Sequence, residues 1–167
     1  KLSAMAVDVT GLGSTVIITC LVLFLILFFS SRRHWIDALQ IAIAGLSAGI
    51  LSPLFKTLAA RPRPPLATRL VEVDHFSYPS GHSLTAAIVY LTIGFIFFER
   101  YKNQRERLLC MGATLLLVTF IGASRVYLGV HYPSDVLGGL TLGTSVALMI
   151  FAFRRAYQKS TRVSNHD

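Results

Sequence analysis

Charge is scarce in this sequence. Only 14% of the residues are charged, 53% are hydrophobic, and the mean hydropathy is +0.60. That balance excludes an ordinary soluble domain and points to a chain that crosses a bilayer several times. Cysteine is nearly absent: Cys20 and Cys110 both lie inside apolar runs. They are expected to be packing residues, which leaves no basis for a disulfide framework or a cysteine metal site. Acidic residues are also sparse, and Asp8, Asp37, Glu72, Asp74 and Glu99 are scattered along the chain. Scattered carboxylates do not assemble a metal site. No small-residue cleavage site follows the first apolar run, so that run is read as a span and not as a signal peptide.

What is present is a set of apolar runs separated by basic turns. The 167 residues suit one domain. Spans are expected at about 14–29, 36–58, 81–98, 108–123 and 134–153. The net charge of +8 sits in short clusters between these runs. Charge so placed flanks a membrane and does not line a nucleic-acid face. Residues 1–13 are mildly amphipathic and are expected to lie along the membrane surface, with Asp8 as a solvated or capping residue. Pro53 is expected to kink the second span or end its regular part. Residues 59–80 form a proline-rich polar loop, the longest non-apolar segment, and loops on rigid scaffolds are where sites collect. Ser80 is a candidate N-cap for the third span and Pro133 a candidate first residue of the last.

The basic clusters also orient the chain. Arg32, Arg33, Arg100, Lys102, Arg105, Arg107, Arg154, Arg155, Lys159 and Arg162 fall on one side of the expected spans. The positive-inside rule then puts the loops at 59–80 and 124–134 on the outer side. The sequence begins at Lys1 and not at an initiator methionine, so residues upstream are expected; a sixth span among them would return the N-terminus to the inner side.

The costliest residues are Arg125, His131 and Asp135, which stand together between two spans. They suit attack on phosphorus: His131 as nucleophile, Asp135 as the group that orients it, Arg125 as a phosphate holder. Two further groups lie at span ends on the same side, Lys56 with Arg63-Pro64 and Pro79-Ser80-Gly81-His82. A phosphate ester or diphosphate carries at least two negative charges. Lys56, Arg63 and Arg125 can neutralise them, and the guanidinium forks match phosphate oxygens. Backbone N–H groups at Ser80, Gly81 and His82, opening a helix, add an anion site that Gly81 lets a phosphate approach closely. Pro133 places His131 just before a helix and Asp135 in its first turn. His34, His75 and His166 fit no such pattern and are expected to be ordinary polar residues.

Together these residues resemble the type 2 phosphatidic acid phosphatase superfamily, whose signature reads K-x6-R-P, then P-S-G-H, then S-R-x5-H-x3-D. Every fixed position is met: Lys56, Arg63 and Pro64; Pro79, Ser80, Gly81 and His82; Ser124, Arg125, His131 and Asp135. Arg61-Pro62 repeats the R-P pair two residues early, and the count of six gives the role to Arg63 with Arg61 as an auxiliary. The resemblance implies an all-α polytopic transmembrane bundle, usually of six spans, with the site at the outer membrane boundary. Five spans are visible here, so either one precedes Lys1 or this member is short. The resemblance also implies a phosphohistidine at His131, with His82 protonating the leaving group and then activating water, and no metal or cofactor. The implied partner is a lipid phosphate within the bilayer: undecaprenyl diphosphate, phosphatidylglycerol phosphate, phosphatidic acid or a lipid A phosphate. The short, bacterial-like chain favours the first two and a bacterial inner membrane, with the site facing the periplasm or exterior. The loop at 65–78 is expected to shape the headgroup pocket. Rival readings are a phosphotransferase using the same intermediate and a non-catalytic lipid-phosphate binder or transporter, whose mark would be loss of His82 or His131. A soluble vanadium haloperoxidase shares the motif but not the apolar spans. The sequence sets neither the particular lipid nor the oligomeric state.

Overall fold

Long apolar runs in a bilayer can satisfy their backbone only as helices or as a closed barrel. The computed structural model describes residues 1–164, and they form helices with no strand among them. The order is α1 (Leu2–Gly11), α2 (Thr15–Ser31), α3 (Trp35–Ala59), a 3-10 turn (Leu66–Thr68), α4 (Gly81–Arg100), α5 (Gln104–Tyr127) and α6 (Pro133–Ser164). Each of α3 to α6 is long and apolar enough to cross a membrane. The pair α1 and α2, bent by 41° where they meet, makes a fifth candidate if the two count as one span. His166 and Asp167 of the tail lie outside the described residues.

The helix starts follow local chemistry. The Ser14 hydroxyl accepts from the Ile17 N–H at 3.4 Å, and the Ser80 hydroxyl accepts from the Ser83 N–H at 3.4 Å. Asn103 accepts from the Arg105 N–H at 3.0 Å. These are N-caps for α2, α4 and α5, and α6 opens on Pro133 as expected.

The centre of the bundle is α4. Leu84, Ala87, Ile88 and Val89 are fully buried there, packed among Ile41 and Ala44 of α3, Val118 of α5 and Ala147 of α6. Gly139 lets α6 come this close: a Cβ there would sit 2.8 Å from the Ser80 carbonyl oxygen. The outer faces are apolar and uncovered, as at Phe24 and Leu27 of α2, Leu116 and Phe120 of α5, and Phe153 of α6. Leaving such side chains in water forfeits about 1.5–3 kcal/mol each, so these faces suit lipid.

One expectation, that both cysteines pack inside, needs correction. The segment at 1–13 is joined to the bundle: α1 packs on α5 and buries Thr10 there. Pro53 lies inside α3 and does not end it, since the helix runs on to Ala59. Cys20 is exposed on the outer face of α2, so only Cys110, half-buried, is a packing residue. Some of the basic residues at these helix ends also form an ion-pair cluster. Arg154 Nη1 stands 2.7 Å from Asp37 and Arg154 Nε stands 2.9 Å from Glu99. These pairs are close without hydrogen-bond alignment. Arg100 also pairs with Asp37, and Arg155 reaches Glu99 at 3.1 Å. The cluster ties α3, α4 and α6 at the ends opposite Lys56 and His82.

Candidate active site

His131 lies in the short connection between α5 and α6. Gly129, at φ +69°, turns the chain there in the left-handed conformation, where a side chain would run into the Thr68 carbonyl. The Leu70 N–H donates to the Leu128 carbonyl at 3.0 Å and pins the proline-rich loop to this turn. Asp135 follows in the first turn of α6 and is fully buried, with His131 only 3% exposed. A buried carboxylate needs partners. Asp135 Oδ1 accepts from Arg61 Nη1 at 2.8 Å, while Oδ2 accepts from the Ser77 hydroxyl and from the Tyr132 N–H at 2.9 Å.

The His131 Nδ1 is 3.5 Å from Asp135 Oδ2, and 3.4 Å from the Ser77 Oγ. Direct acceptance by Asp135 was the expectation; the structure puts the Ser77 hydroxyl beside both groups, so the link from ring to carboxylate includes it. Ser77 is the residue that sequence reasoning missed. It is fully buried, and its N–H donates to the Arg61 carbonyl at 2.8 Å. Its only sequence signal was its place in the loop just ahead of Pro79-Ser80-Gly81-His82.

The other ring nitrogen faces Arg63. Arg63 Nη1 is 3.2 Å from His131 Nε2 and donates to the Val130 carbonyl at 2.9 Å. Its Nε donates to the His75 carbonyl at 2.9 Å and its Nη2 to the Asp74 carbonyl at 3.0 Å. A guanidinium has donors and no acceptor. Nε2 therefore presents its lone pair to Arg63, and the proton of a neutral ring sits on Nδ1, toward Ser77 and Asp135. Burial, then the positive charges of Arg63, Arg125 and Lys56, lower the His131 pKa to about 3, against an opposing pull from Asp135. The imidazole is neutral near pH 7, with Nε2 available as a nucleophile. The arrangement also separates the two candidate arginines. Arg61 pairs with the carboxylate and lies 4.4 Å from the Tyr132 ring, whereas Arg63 stands at the His131 ring. His75, read as an ordinary polar residue, contributes its carbonyl.

The remaining candidates lie on the helices beside this pair. Ser80 spends its hydroxyl on the α4 cap, and its N–H donates to the Asp135 carbonyl at 3.0 Å, joining the starts of α4 and α6. The N–H groups left for an anion are those of Gly81 and His82, which have no partner within the helix. Lys56 reaches over this turn: a Cβ on Gly81 would lie 3.8 Å from Lys56 Nζ. Arg125 is 4% exposed, donates from Nη1 to the Thr10 hydroxyl at 3.0 Å, and has a buried Nε without a partner among the described residues.

Lys56, Gly81 and His82 close one end of a cavity of about 590 Å³. From there it runs between α2 and α3 past Thr15, Ile18, Val22, Gly45 and Gly49 to Ile26 and Ala42, so one end carries the Lys56 ammonium and the rest is mainly apolar, with the hydroxyls of Thr15, Thr19, Ser52 and Thr85 among its walls. Among the described residues no three His, Cys, Asp or Glu side chains come together as a metal site.

Fold and site define a helical protein of the membrane-spanning kind, with three cations set around a histidine–aspartate pair. The chain belongs to the PAP2 superfamily, which it matches over residues 37–159. It is 32% identical over 155 residues to phosphatidylglycerophosphatase B of Bacillus subtilis, covering 91% of this chain and 75% of that protein. It is 28% identical over 128 residues to undecaprenyl-diphosphatase BcrC of the same organism, covering 74% of this chain and 59% of that one. The crystal structure of the transmembrane PAP2 type phosphatidylglycerolphosphate phosphatase from B. subtilis superposes with a TM-score of 0.84 at 30% identity. That match covers 93% of this chain and 77% of the other. The chain is thus an integral membrane protein whose relatives are phosphatases acting on lipid phosphates.

Proposed function

We propose that this protein hydrolyses a phosphate from a membrane lipid phosphate or diphosphate through a phosphohistidine on His131. Nε2 attacks phosphorus in line, and the bond from phosphorus to the leaving oxygen breaks. His82 gives that oxygen its proton. Asp135, with Ser77, stabilises the positive ring that forms. Water then attacks the phosphorus, His82 takes its proton, the P–N bond breaks, and phosphate leaves with Nε2 restored. Lys56, Arg63, Arg125 and the Gly81 and His82 N–H groups hold the oxygens on which charge concentrates. Charge compensation comes from side-chain cations, so metal is not required in this reading.

The observation that carries the lipid assignment is the cavity that begins at Lys56 and His82 and continues, apolar, between α2 and α3. The stretch from Thr15 to Ile26 is roughly 16 Å of helix, a length that suits a lipid tail whose headgroup stays at the cations. Undecaprenyl diphosphate and phosphatidylglycerol phosphate are the leading substrates, in a bacterial inner membrane with the site outward. The clustering of basic residues at the opposite helix ends supports that orientation.

The test is phosphate release by purified protein from diphosphate lipids, monophosphate lipids and soluble phosphates, with and without EDTA. Release from a lipid substrate, undiminished by EDTA and absent in His131→Ala, is expected, together with an acid-labile phosphoenzyme. Transfer of label to a lipid hydroxyl without free phosphate would make it a phosphotransferase. Binding without turnover would make it a carrier.

A further inference from the structure

The motifs account for α3 to α6 and for the loops between them, but not for α1 or its junction with α2. Most of α1 is exposed, yet Thr10 is 8% exposed and its hydroxyl accepts from Arg125 Nη1 at 3.0 Å. The buried Arg125 Nε has no partner among the described residues. A guanidinium anchored at one nitrogen, with another buried and unsatisfied, is aimed at an acceptor still to come. The chain bends by 41° just beyond Thr10. Gly13 N–H donates to the Thr10 carbonyl at 2.9 Å, and the Tyr90 hydroxyl of α4 donates to the Leu12 carbonyl at 2.8 Å, so the bend is tied down. It is also pressed into the site: a Cβ on Gly13 would lie 2.7 Å from Ile121 Cγ2 and 3.2 Å from Cδ2 of the His82 ring.

We propose that the α1–α2 elbow is a fourth part of the active site, with Thr10 the positioning residue that aims Arg125 and Gly13 the seat against which the His82 ring is held. The inference rests on the phosphohistidine chemistry above. Arg125 contacts the phosphate; Thr10 acts only through Arg125, by fixing one of its nitrogens so that the others present a constant edge. Such an effect belongs to the transition state and appears in kcat more than in KM.

The test is steady-state phosphate release by the full chain in detergent from a lipid phosphate, with thermal unfolding of each variant measured alongside. Thr10→Val keeps the shape and removes the acceptor, and should lower kcat about ten-fold with KM little changed. Thr10→Ser restores the acceptor and should recover most of the rate. Gly13→Ala should also lower kcat, while Gly11→Ala, where an added Cβ meets nothing within 4 Å, should not. Wild-type turnover in Thr10→Val overturns the proposal. So does Thr10→Ser as slow as Thr10→Val when both unfold at the wild-type temperature. His131→Ala in the same assay keeps the two readings apart. If it is inactive while Thr10→Val is unimpaired, only the elbow proposal fails; if it stays active, the phosphohistidine itself is wrong.

Discussion

Arg63 Nη1 stands 3.2 Å from Nε2 of His131, the nitrogen proposed to attack. The lone pair needed for attack is held by the cation proposed to bind the phosphate. An arriving phosphate gives Arg63 a better acceptor, so binding and unmasking of Nε2 become one event. Arg63 can do this only from a fixed place, which the carbonyls of Asp74, His75 and Val130 provide.

Arg63→Lys tests this arrangement. An ammonium keeps the charge but cannot serve three carbonyls and a phosphate from one planar fork. The kcat/KM for lipid phosphate should fall by about 10²–10³, the usual loss when one fixed donor to a developing charge is removed. A fall of less than about five-fold would show that charge alone suffices.

Asp135 and Ser77 should separate by magnitude. Asp135→Asn removes the charge behind the imidazolium and should lower kcat by about 10⁴, as for other triad orienters. It also leaves Arg61 facing a neutral amide. Ser77→Ala leaves the carboxylate with Arg61 and the Tyr132 N–H, and should cost about ten-fold to a hundred-fold, a neutral hydrogen bond's worth or somewhat more. Equal losses would mean that the ring reads the carboxylate only through Ser77, and no loss in Ser77→Ala would remove Ser77 from the link.

These residues also show what a sequence discloses. His82, His131, Asp135, Lys56, Arg63 and Arg125 were legible as candidates because their types suit a phosphate and their order and spacing match the family signature at span ends. The spans were legible because a bilayer permits few backbone solutions. Ser77 was not, since one serine in a polar loop has no pattern until folding brings it to Asp135. Arg61 showed only as a repeated R-P pair, and its carboxylate partner lies 74 residues on. The Asp37–Arg154 pair and the Thr10–Arg125 contact join the ends of distant helices, and no local periodicity marks them. Pro53 left two outcomes open, a kink or an end, and the helix continues past it to Ala59.

The depressed His131 pKa has a consequence for stability with a definite sign. In the unfolded chain this histidine takes up a proton near pH 6.5; in the folded protein it does so only at about 3. Between those values the unfolded state binds the extra proton, so stability falls as pH falls through that window and is fully present above it. His131→Asn removes this contribution. Its unfolding temperature in detergent should therefore drop less than that of the wild type between pH 7 and pH 4. Identical pH dependence would show that His131 is not held neutral by the fold.

The apolar cavity makes a prediction that separates lipid binding from chemistry. Gly49 lines it on α3, and a Cβ added there meets no atom within 4 Å. Gly49→Leu therefore projects into the space proposed for a tail, starting from a Cβ that touches no neighbour. The leucine also removes a helix-interior glycine, a gain of up to about 0.8 kcal/mol, so the variant should unfold no lower than the wild type. The tail contributes equally to ground state and transition state, and losing its contacts should raise KM and leave kcat nearly unchanged. About a ten-fold rise in KM is expected for a long-chain lipid phosphate, corresponding to some 1.4 kcal/mol of lost binding. A soluble short-chain phosphate ester never enters the groove, and its kinetics should not change. If both substrates weaken together, Gly49 acts through the Lys56 and His82 end of the cavity and the tail lies elsewhere. If neither weakens, the space between α2 and α3 is not where the lipid is held.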